Sequence, residues 1–129
     1  MSQKVKYTLE YVFQSSAQLL FQYLSSPSGL SEWFADNVNS RDKTFTFIWD
    51  GSEEEAVLLS KKTDSLIRFQ WKEDEGEESF FEFRIEKDEI TKDLSLLITD
   101  YAYDDELEEG KMLWDNQITT LKQIIGSVS

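Results

Sequence analysis

Residues 44–51 read TFTFIWDG, a stretch in which large aromatic side chains alternate with Thr and Ile before a final Asp-Gly pair. Alternation with a period of two is typical of a half-buried β-strand, because successive strand side chains point to opposite faces. Asp-Gly favours a two-residue hairpin turn, since both central positions of that turn need a positive φ. The stretch therefore predicts a β-hairpin whose second strand lies at residues 54–60.

Alternating patterns on both sides of this hairpin predict further strands. Charged or Ser/Thr-rich turns separate them, including the acidic loop at residues 73–78. Strands joined by short turns pair as an antiparallel sheet, and one face of such a sheet has to be covered by another element. The additional strands are predicted at residues 3–13, 66–71, 81–86 and 94–101.

Two short helices are predicted between the first strand and the hairpin. Ser15 followed by Gln18 fits a capping box, which would open the first helix. Pro27 suits the first position of the second helix, because its missing N–H needs no partner there. The second helix carries the aromatic pair Trp33 and Phe34 at its end.

A longer amphipathic helix is predicted from about Lys111 to Ile125. Its apolar stripe consists of Trp114, Ile118, Leu121 and Ile125, which recur at helical spacing. Because the sequence contains no other long amphipathic element, this helix is expected to cover the inner face of the sheet.

The composition excludes several kinds of chemistry. The chain has 129 residues, the size of one domain, and contains neither Cys nor His. Disulfides and Ser–His and Cys–His catalysis are therefore excluded, and zinc is disfavoured. The acidic residues 104–109, predicted as a loop, do not fit the EF-hand, since the positions that need Gly and Glu hold Glu109 and Asp115. We expect no metal and no cofactor, and acid–base chemistry would rest on carboxylates, Lys or Tyr.

The charge restricts the partners. The formal net charge is -13, from 26 acidic and 13 basic residues. Such a surface repels phosphate backbones and anionic membranes, so neither nucleic acid nor membrane is an expected partner, whereas a basic protein would be attracted. No N-terminal apolar run resembles a signal peptide. We expect a cytoplasmic protein that is a monomer or a homodimer.

Five stretches spread along the chain resemble the START-like proteins that are related to the co-chaperone Aha1, within the START/Bet v 1 (SRPBCC) superfamily and including small Bacteroidetes members. The resemblance implies an α+β helix-grip fold, with residues 1–129 as a single START-like domain. In that fold a curved antiparallel sheet of about six to seven strands surrounds a long C-terminal helix, and two short helices follow the first strand. The stretches are GLSEWFAD (29–36), FTFIWDG (45–51), IRFQWKED (67–74), LLITDYA (96–102) and MLWDNQITTLKQIIG (112–126).

The resemblance also implies a cavity between the sheet and the C-terminal helix, with the second short helix at its mouth. The aromatic rings either fill this space as core or leave a pocket for an apolar ligand, and both alternatives stay open at this point. Asp36 and Asp100 each follow an apolar stretch, and they are either cap and turn residues or carboxylates at the cavity mouth. The candidate cavity-lining residues are Trp33, Phe34, Phe47, Trp49, Phe69, Trp71, Phe81, Phe83, Trp114, Ile118 and Leu121.

Three functions fit these observations. The first is a non-enzymatic binding protein that holds a small hydrophobic or amphipathic ligand in the cavity. The second is a protein-interaction module that docks a basic or chaperone partner through its acidic surface, as the Aha1 resemblance implies. The third is an enzyme that uses Asp or Tyr side chains in the cavity, and the absence of His and Cys makes it the least favoured.

Overall fold

The alternating segments form a seven-stranded sheet in the computed structural model, which describes residues 4–126. The strand order within these residues is β1-β7-β6-β5-β4-β3-β2, and each neighbouring pair is antiparallel. Residue 3, predicted to begin the first strand, lies outside the described residues. The strands are β1 (Lys4–Phe13), β2 (Asn37–Arg41), β3 (Thr44–Trp49), β4 (Ser52–Lys62), β5 (Leu66–Trp71), β6 (Phe81–Lys87) and β7 (Leu94–Tyr103).

Three α-helices and two 3₁₀ turns complete the described part of the chain: α1 (Ala17–Ser25), α2 (Pro27–Trp33), α3 (Leu107–Ile125), and turns at Lys72–Asp74 and Asp104–Glu106. The long helix α3 packs against β1, β7 and α2. In its predicted apolar stripe Trp114, Ile118 and Leu121 are buried, and Ile125 is half-buried. The predicted α+β helix-grip fold is therefore confirmed. None of the helices within residues 4–126 is long and apolar enough to cross a membrane.

The hairpin between β3 and β4 forms at the predicted position. Asp50 and Gly51 have φ angles of 50° and 83°, the positive values that a type I′ turn requires. The backbone N–H of Asp50 also donates a hydrogen bond to the Asp36 carboxylate at 2.7 Å. Phe45 and Phe47 are buried, so the inner face of β3 joins the core as the alternation predicts.

The edge strand β2 is not predicted by the sequence. Residues 37–41 read NVNSR and pair with β3, although they lack a regular apolar alternation. Of these five residues, Val38 is buried and the others are exposed. An edge strand has one unpaired side and tolerates polar residues, so its pairing with β3 rather than its own pattern defines it.

The prediction that Ser15 caps α1 is wrong by one residue. Ser16 is the N-cap, and its Oγ accepts the backbone N–H three residues further on at 3.1 Å. Ser26 then ends α1 and caps α2, where its Oγ accepts the N–H of Gly29 at 3.0 Å. Pro27 occupies the first position of α2, as predicted. The shared Ser26 cap joins the two helices without a loop.

The long helix begins at Leu107 rather than at about Lys111. Residues 104–109 are therefore not a loop, since they form a 3₁₀ turn followed by the first residues of α3. Acidic side chains are favourable in this position, because the N-terminus of a helix carries a partial positive charge. At the other end Gly126 has a φ of 80° and closes the helix in the left-handed conformation.

Candidate functional site

An apolar groove lies between α3 and one end of the sheet, with a volume of about 380 Å³. Strands β1, β3, β4, β5 and β7 each contribute one residue to it, and the residue after α2 closes it. We call it the α3 groove. It is lined by the aromatic residues Phe34, Trp49, Trp71 and Trp114, the polar residues Tyr7, Glu54, Asp100 and Gln117, and Gly110 and Leu113 of α3.

The aromatic residues of the α3 groove contact one another. The Phe34 ring lies 5.4 Å from Trp49 and 5.6 Å from Trp114, and Trp49 lies 5.9 Å from Trp71. The Phe34 carbonyl accepts hydrogen bonds from Trp49 Nε1 at 2.8 Å and from Gln117 Nε2 at 3.0 Å. This single carbonyl at the end of α2 therefore connects β3 to α3 and fixes the orientation of the Trp49 and Gln117 side chains in the groove.

Asp100 is the half-buried carboxylate of the groove, and it accepts three hydrogen bonds. The donors are the N–H of Tyr101 at 2.8 Å, Trp114 Nε1 at 3.0 Å and the Tyr7 hydroxyl at 3.4 Å. The first two groups can only donate, which is the arrangement that an ionised carboxylate accepts. Burial raises the pKa of Asp100 above its usual range, and the three donors act in the opposite direction.

Tyr7 lies directly across from Asp100 on the paired strand β1. Burial, and then the adjacent Asp100 carboxylate, raise the pKa of the Tyr7 phenol, so the hydroxyl stays protonated at neutral pH. Gly110 of α3 faces this hydroxyl, and a Cβ at that position would lie 2.9 Å from the oxygen. The missing side chain of Gly110 thus lets α3 approach β1 closely.

The surroundings of the α3 groove are acidic. Glu54 lies exposed at its rim, and no Lys or Arg occurs among the described residues that line it. A hollow of about 560 Å³ adjoins it through Glu54 and Trp71 and includes Glu53, Glu55 and Glu73. A second hollow, of about 310 Å³, shares Asp100 with the groove. It includes Glu106 of the 3₁₀ turn before α3 and Glu109 of the first turn of α3.

The predicted lining residues divide into two groups. Phe34, Trp49, Trp71 and Trp114 line the α3 groove. The others are buried in the core and are not among its lining residues: Trp33, Phe47, Phe69, Phe81, Phe83, Ile118 and Leu121. The rings therefore follow both alternatives left open by the sequence, since most form core while four bound a groove.

The two predicted carboxylates also separate. Asp100 lies in the groove, whereas Asp36 is exposed, is not among the lining residues, and holds the β3–β4 turn through the N–H of Asp50. Within residues 4–126, no three acidic side chains lie together as a candidate metal site.

The sequence does not predict five of the lining residues: Tyr7, Glu54, Gly110, Leu113 and Gln117. Tyr7 belongs to the predicted inward face of β1, and a polar atom on that face is a signal that it needs a buried partner. Gln117 follows Trp114 at helical spacing, which places it near the apolar stripe. Glu54 and Gly110 carry no comparable signal, because their position depends on how α3 lies on the sheet.

An antiparallel sheet that holds a long C-terminal helix, with two short helices after the first strand and a groove under the long helix, defines a protein of the helix-grip class. The chain belongs to the START-like superfamily, because the model of the START-like superfamily domain matches residues 1–127. A comparison with curated protein sequences gave no match.

Solved structures agree with this family. BfR322 from Bacteroides fragilis is 39% identical, with 96% of this chain and 92% of that chain covered and a TM-score of 0.69. The structure described as the Aha1 dimer from Colwellia psychrerythraea is 15% identical, with coverages of 94% and 96% and a TM-score of 0.79. CalU16 from Micromonospora echinospora is 14% identical, with coverages of 95% and 76% and a TM-score of 0.72. The last two show a shared fold alone.

Proposed function

We propose that this protein is a non-enzymatic binding protein that holds a small hydrophobic or amphipathic ligand in the α3 groove. The observation that carries the proposal is the combination of four aromatic residues with one half-buried carboxylate around a volume of about 380 Å³. Small-molecule sites typically measure about 300–1,000 Å³ and combine apolar walls with a few placed polar groups. The α3 groove has this size and composition. We also propose that the protein is cytoplasmic.

The polar groups of the groove support binding rather than acid–base catalysis. A general base needs a free lone pair and a pKa near the working pH. Asp100 already accepts hydrogen bonds from Tyr101, Trp114 and Tyr7. The Tyr7 phenol has a raised pKa and is therefore a hydrogen-bond donor at neutral pH. Fixed protein donors occupy three of the roughly four acceptor positions of Asp100, which favours binding over the third function, a cavity enzyme.

The second candidate is a protein-interaction module, and exposed apolar residues on α3 favour it. Met112 and Leu113 have 64% and 59% of their surface exposed, although both are large and apolar. Such residues side by side are a feature of interaction surfaces. Because this chain has a net charge of -13, its partner would be a basic or chaperone protein, or a second copy of the chain that packs on Met112 and Leu113.

These two residues also provide a matched test. Leu113 lines the α3 groove and its neighbour Met112 does not. We expect the neutral probe N-phenyl-1-naphthylamine to bind the native protein with a rise in its fluorescence. The Leu113→Asp variant should weaken this binding about tenfold, because it places a carboxylate beside the apolar probe, and Met112→Asp should leave it unchanged.

The same variants test the alternative by sedimentation velocity. A dimer that dissociates in Met112→Asp would favour the interaction module. A native protein that binds no neutral apolar probe would refute the ligand-binding proposal.

A further inference from the structure

We infer that the α3 groove selects ligands with a positively charged head, such as a quaternary or protonated amine, attached to an apolar body. The inference rests on the proposed function, because it names the chemical class of the ligand that the groove would hold. Three features carry it: the aromatic composition of the groove wall, the sign of the charges that line and surround the groove, and the pairing of the cationic side chains in the two flanking hollows.

The wall offers the ring type that attracts cations most strongly. Apart from Tyr7, three of its four aromatic residues are Trp, whose electron-rich face binds ammonium groups better than that of Tyr or Phe. The planes of Trp49 and Trp71 are inclined by 57°, so the two rings form a corner rather than a flat stack. Phe34 is inclined by 71° to Trp49 and continues this corner toward α3. Aromatic faces arranged in this way can attract a trimethylammonium group without hydrogen-bond acceptors.

The charges that line the groove are all negative. Asp100 lies within it and Glu54 at its rim, with no Lys or Arg among the described lining residues. An anionic head would therefore be desolvated without a partner, which is strongly unfavourable. A cationic head would face two carboxylates. Because the three donors to Asp100 are fixed protein groups, its attraction for a ligand acts through charge, and a cation without hydrogen-bond donors is sufficient.

The cationic side chains that line the two flanking hollows, Lys4 and Lys72, are already paired. Lys4 contacts Asp74 at 2.9 Å, and Lys72 contacts Glu55 at 3.6 Å. Further glutamates border both hollows, so the negative potential extends beyond the groove itself. A site for a fatty-acid-like anion would need the opposite arrangement, with an Arg or Lys directed at the carboxylate.

The test uses three ligands that share one body and differ in the charge of the head. They are (4-hydroxybenzyl)trimethylammonium, its neutral carbon isostere 4-neopentylphenol, and the anion 4-hydroxyphenylmethanesulfonate. Each displaces N-phenyl-1-naphthylamine from the native protein at low ionic strength, and displacement gives its affinity. We expect the cation to bind about tenfold more tightly than the neutral isostere and the anion to bind least. Added salt should reduce the advantage of the cation.

Two variants separate the causes. Glu54→Gln removes the rim charge and should lower the affinity for the cation several-fold while leaving the isostere unchanged. Glu86→Gln removes the same charge from an exposed position on β6 and serves as the control. Trp71→Leu keeps an apolar side chain but removes the ring, and should reduce the preference for the cation. Thermal unfolding of each variant checks that it is folded.

The possible outcomes distinguish the ligand-binding function from the preference for a cationic head. If the neutral probe and the isostere bind as well as the cation, or the anion binds as tightly, the charge selection is refuted and the ligand-binding function stands. If the probe does not bind, both are refuted. If the probe binds and none of the three ligands displaces it, the charge selection is refuted and the ligand-binding function stands. If the cation is preferred but Glu54→Gln and Glu86→Gln reduce its affinity equally, the preference reflects the overall charge, and the inference about the groove is refuted.

Discussion

Replacement of Trp114 by Phe tests the link between the groove and its buried carboxylate. Trp114 has 6% of its surface exposed, packs on Phe34 and Phe83, and donates its Nε1 hydrogen to Asp100 at 3.0 Å. A hydrogen bond to a charged group contributes about 1.5–3 kcal/mol to the free energy of unfolding. Phe keeps an aromatic ring but no donor, so a loss of this size is expected in addition to the cost of the smaller ring.

The matched control is Trp33→Phe. Trp33 is also 6% exposed, but its Nε1 donates to a neutral acceptor, the backbone carbonyl of Tyr23, at 2.7 Å. A hydrogen bond between neutral groups contributes about 0.5–1.5 kcal/mol. Because both variants lose the same ring area, Trp114→Phe should destabilise the protein by about 1 kcal/mol more than Trp33→Phe does. Urea unfolding followed by circular dichroism measures both values.

The difference should also depend on pH. The Trp114 donor lowers the pKa of Asp100, so its removal raises the pKa further above the usual value. A folded state with the higher Asp pKa binds a proton more readily, and its stability falls as pH rises through that pKa. The cost of Trp114→Phe should therefore be larger at pH 8 than at acid pH below the raised pKa of Asp100, while that of Trp33→Phe stays constant. Equal costs for the two variants, with no change with pH, would refute this account of Asp100.

Three further outcomes follow from the packing and composition. Leu121→Ala should cost about 2–5 kcal/mol in urea unfolding, because Leu121 is fully buried on the sheet-facing stripe of α3; a cost of a few tenths would place that face in solvent. Gly29→Ala should destabilise by about 1–3 kcal/mol despite the better helix former, since its Cβ would lie 2.3 Å from the Gln22 carbonyl oxygen; a stabilised variant would contradict the close α1–α2 packing. EDTA should leave the thermal midpoint unchanged, because the chain contains neither Cys nor His; a drop that calcium reverses would reveal a metal site.

The parts of the fold that the sequence predicts are those with strong local signals. The alternation at 44–49 and the Asp50-Gly51 pair define β3 and its turn, and the helical stripe from Trp114 to Leu121 defines the buried face of α3. In each case the residues in one segment decide their own conformation. Strand β2 and the start of α3 lack such signals, because an exposed edge strand and an acidic helix start have the same polar composition as a loop.

The groove could be predicted only in part, for a different physical reason. The alternating pattern and the family resemblance identify inward-facing aromatic residues. Phe47 and Trp49 lie on the same face of β3, but Phe47 is in the core and Trp49 lines the groove. Which of the two occurs depends on where α3 crosses the sheet. That position is set by distant contacts, such as Gly110 against Tyr7 and Gln117 against the Phe34 carbonyl.

The most direct test of the central claim, a ligand held in the α3 groove, uses the four Trp residues of the chain as reporters. Trp49, Trp71 and Trp114 line the groove, whereas Trp33 is buried outside its lining and bonds to a backbone carbonyl. The indole N–H resonances in ¹⁵N-labelled protein can be followed during titration with N-phenyl-1-naphthylamine. If the ligand binds in the α3 groove, the three groove indoles should shift with one common dissociation constant while Trp33 is the least affected. Resonances that do not shift, or a Trp33 shift as large as the other three, would contradict this claim.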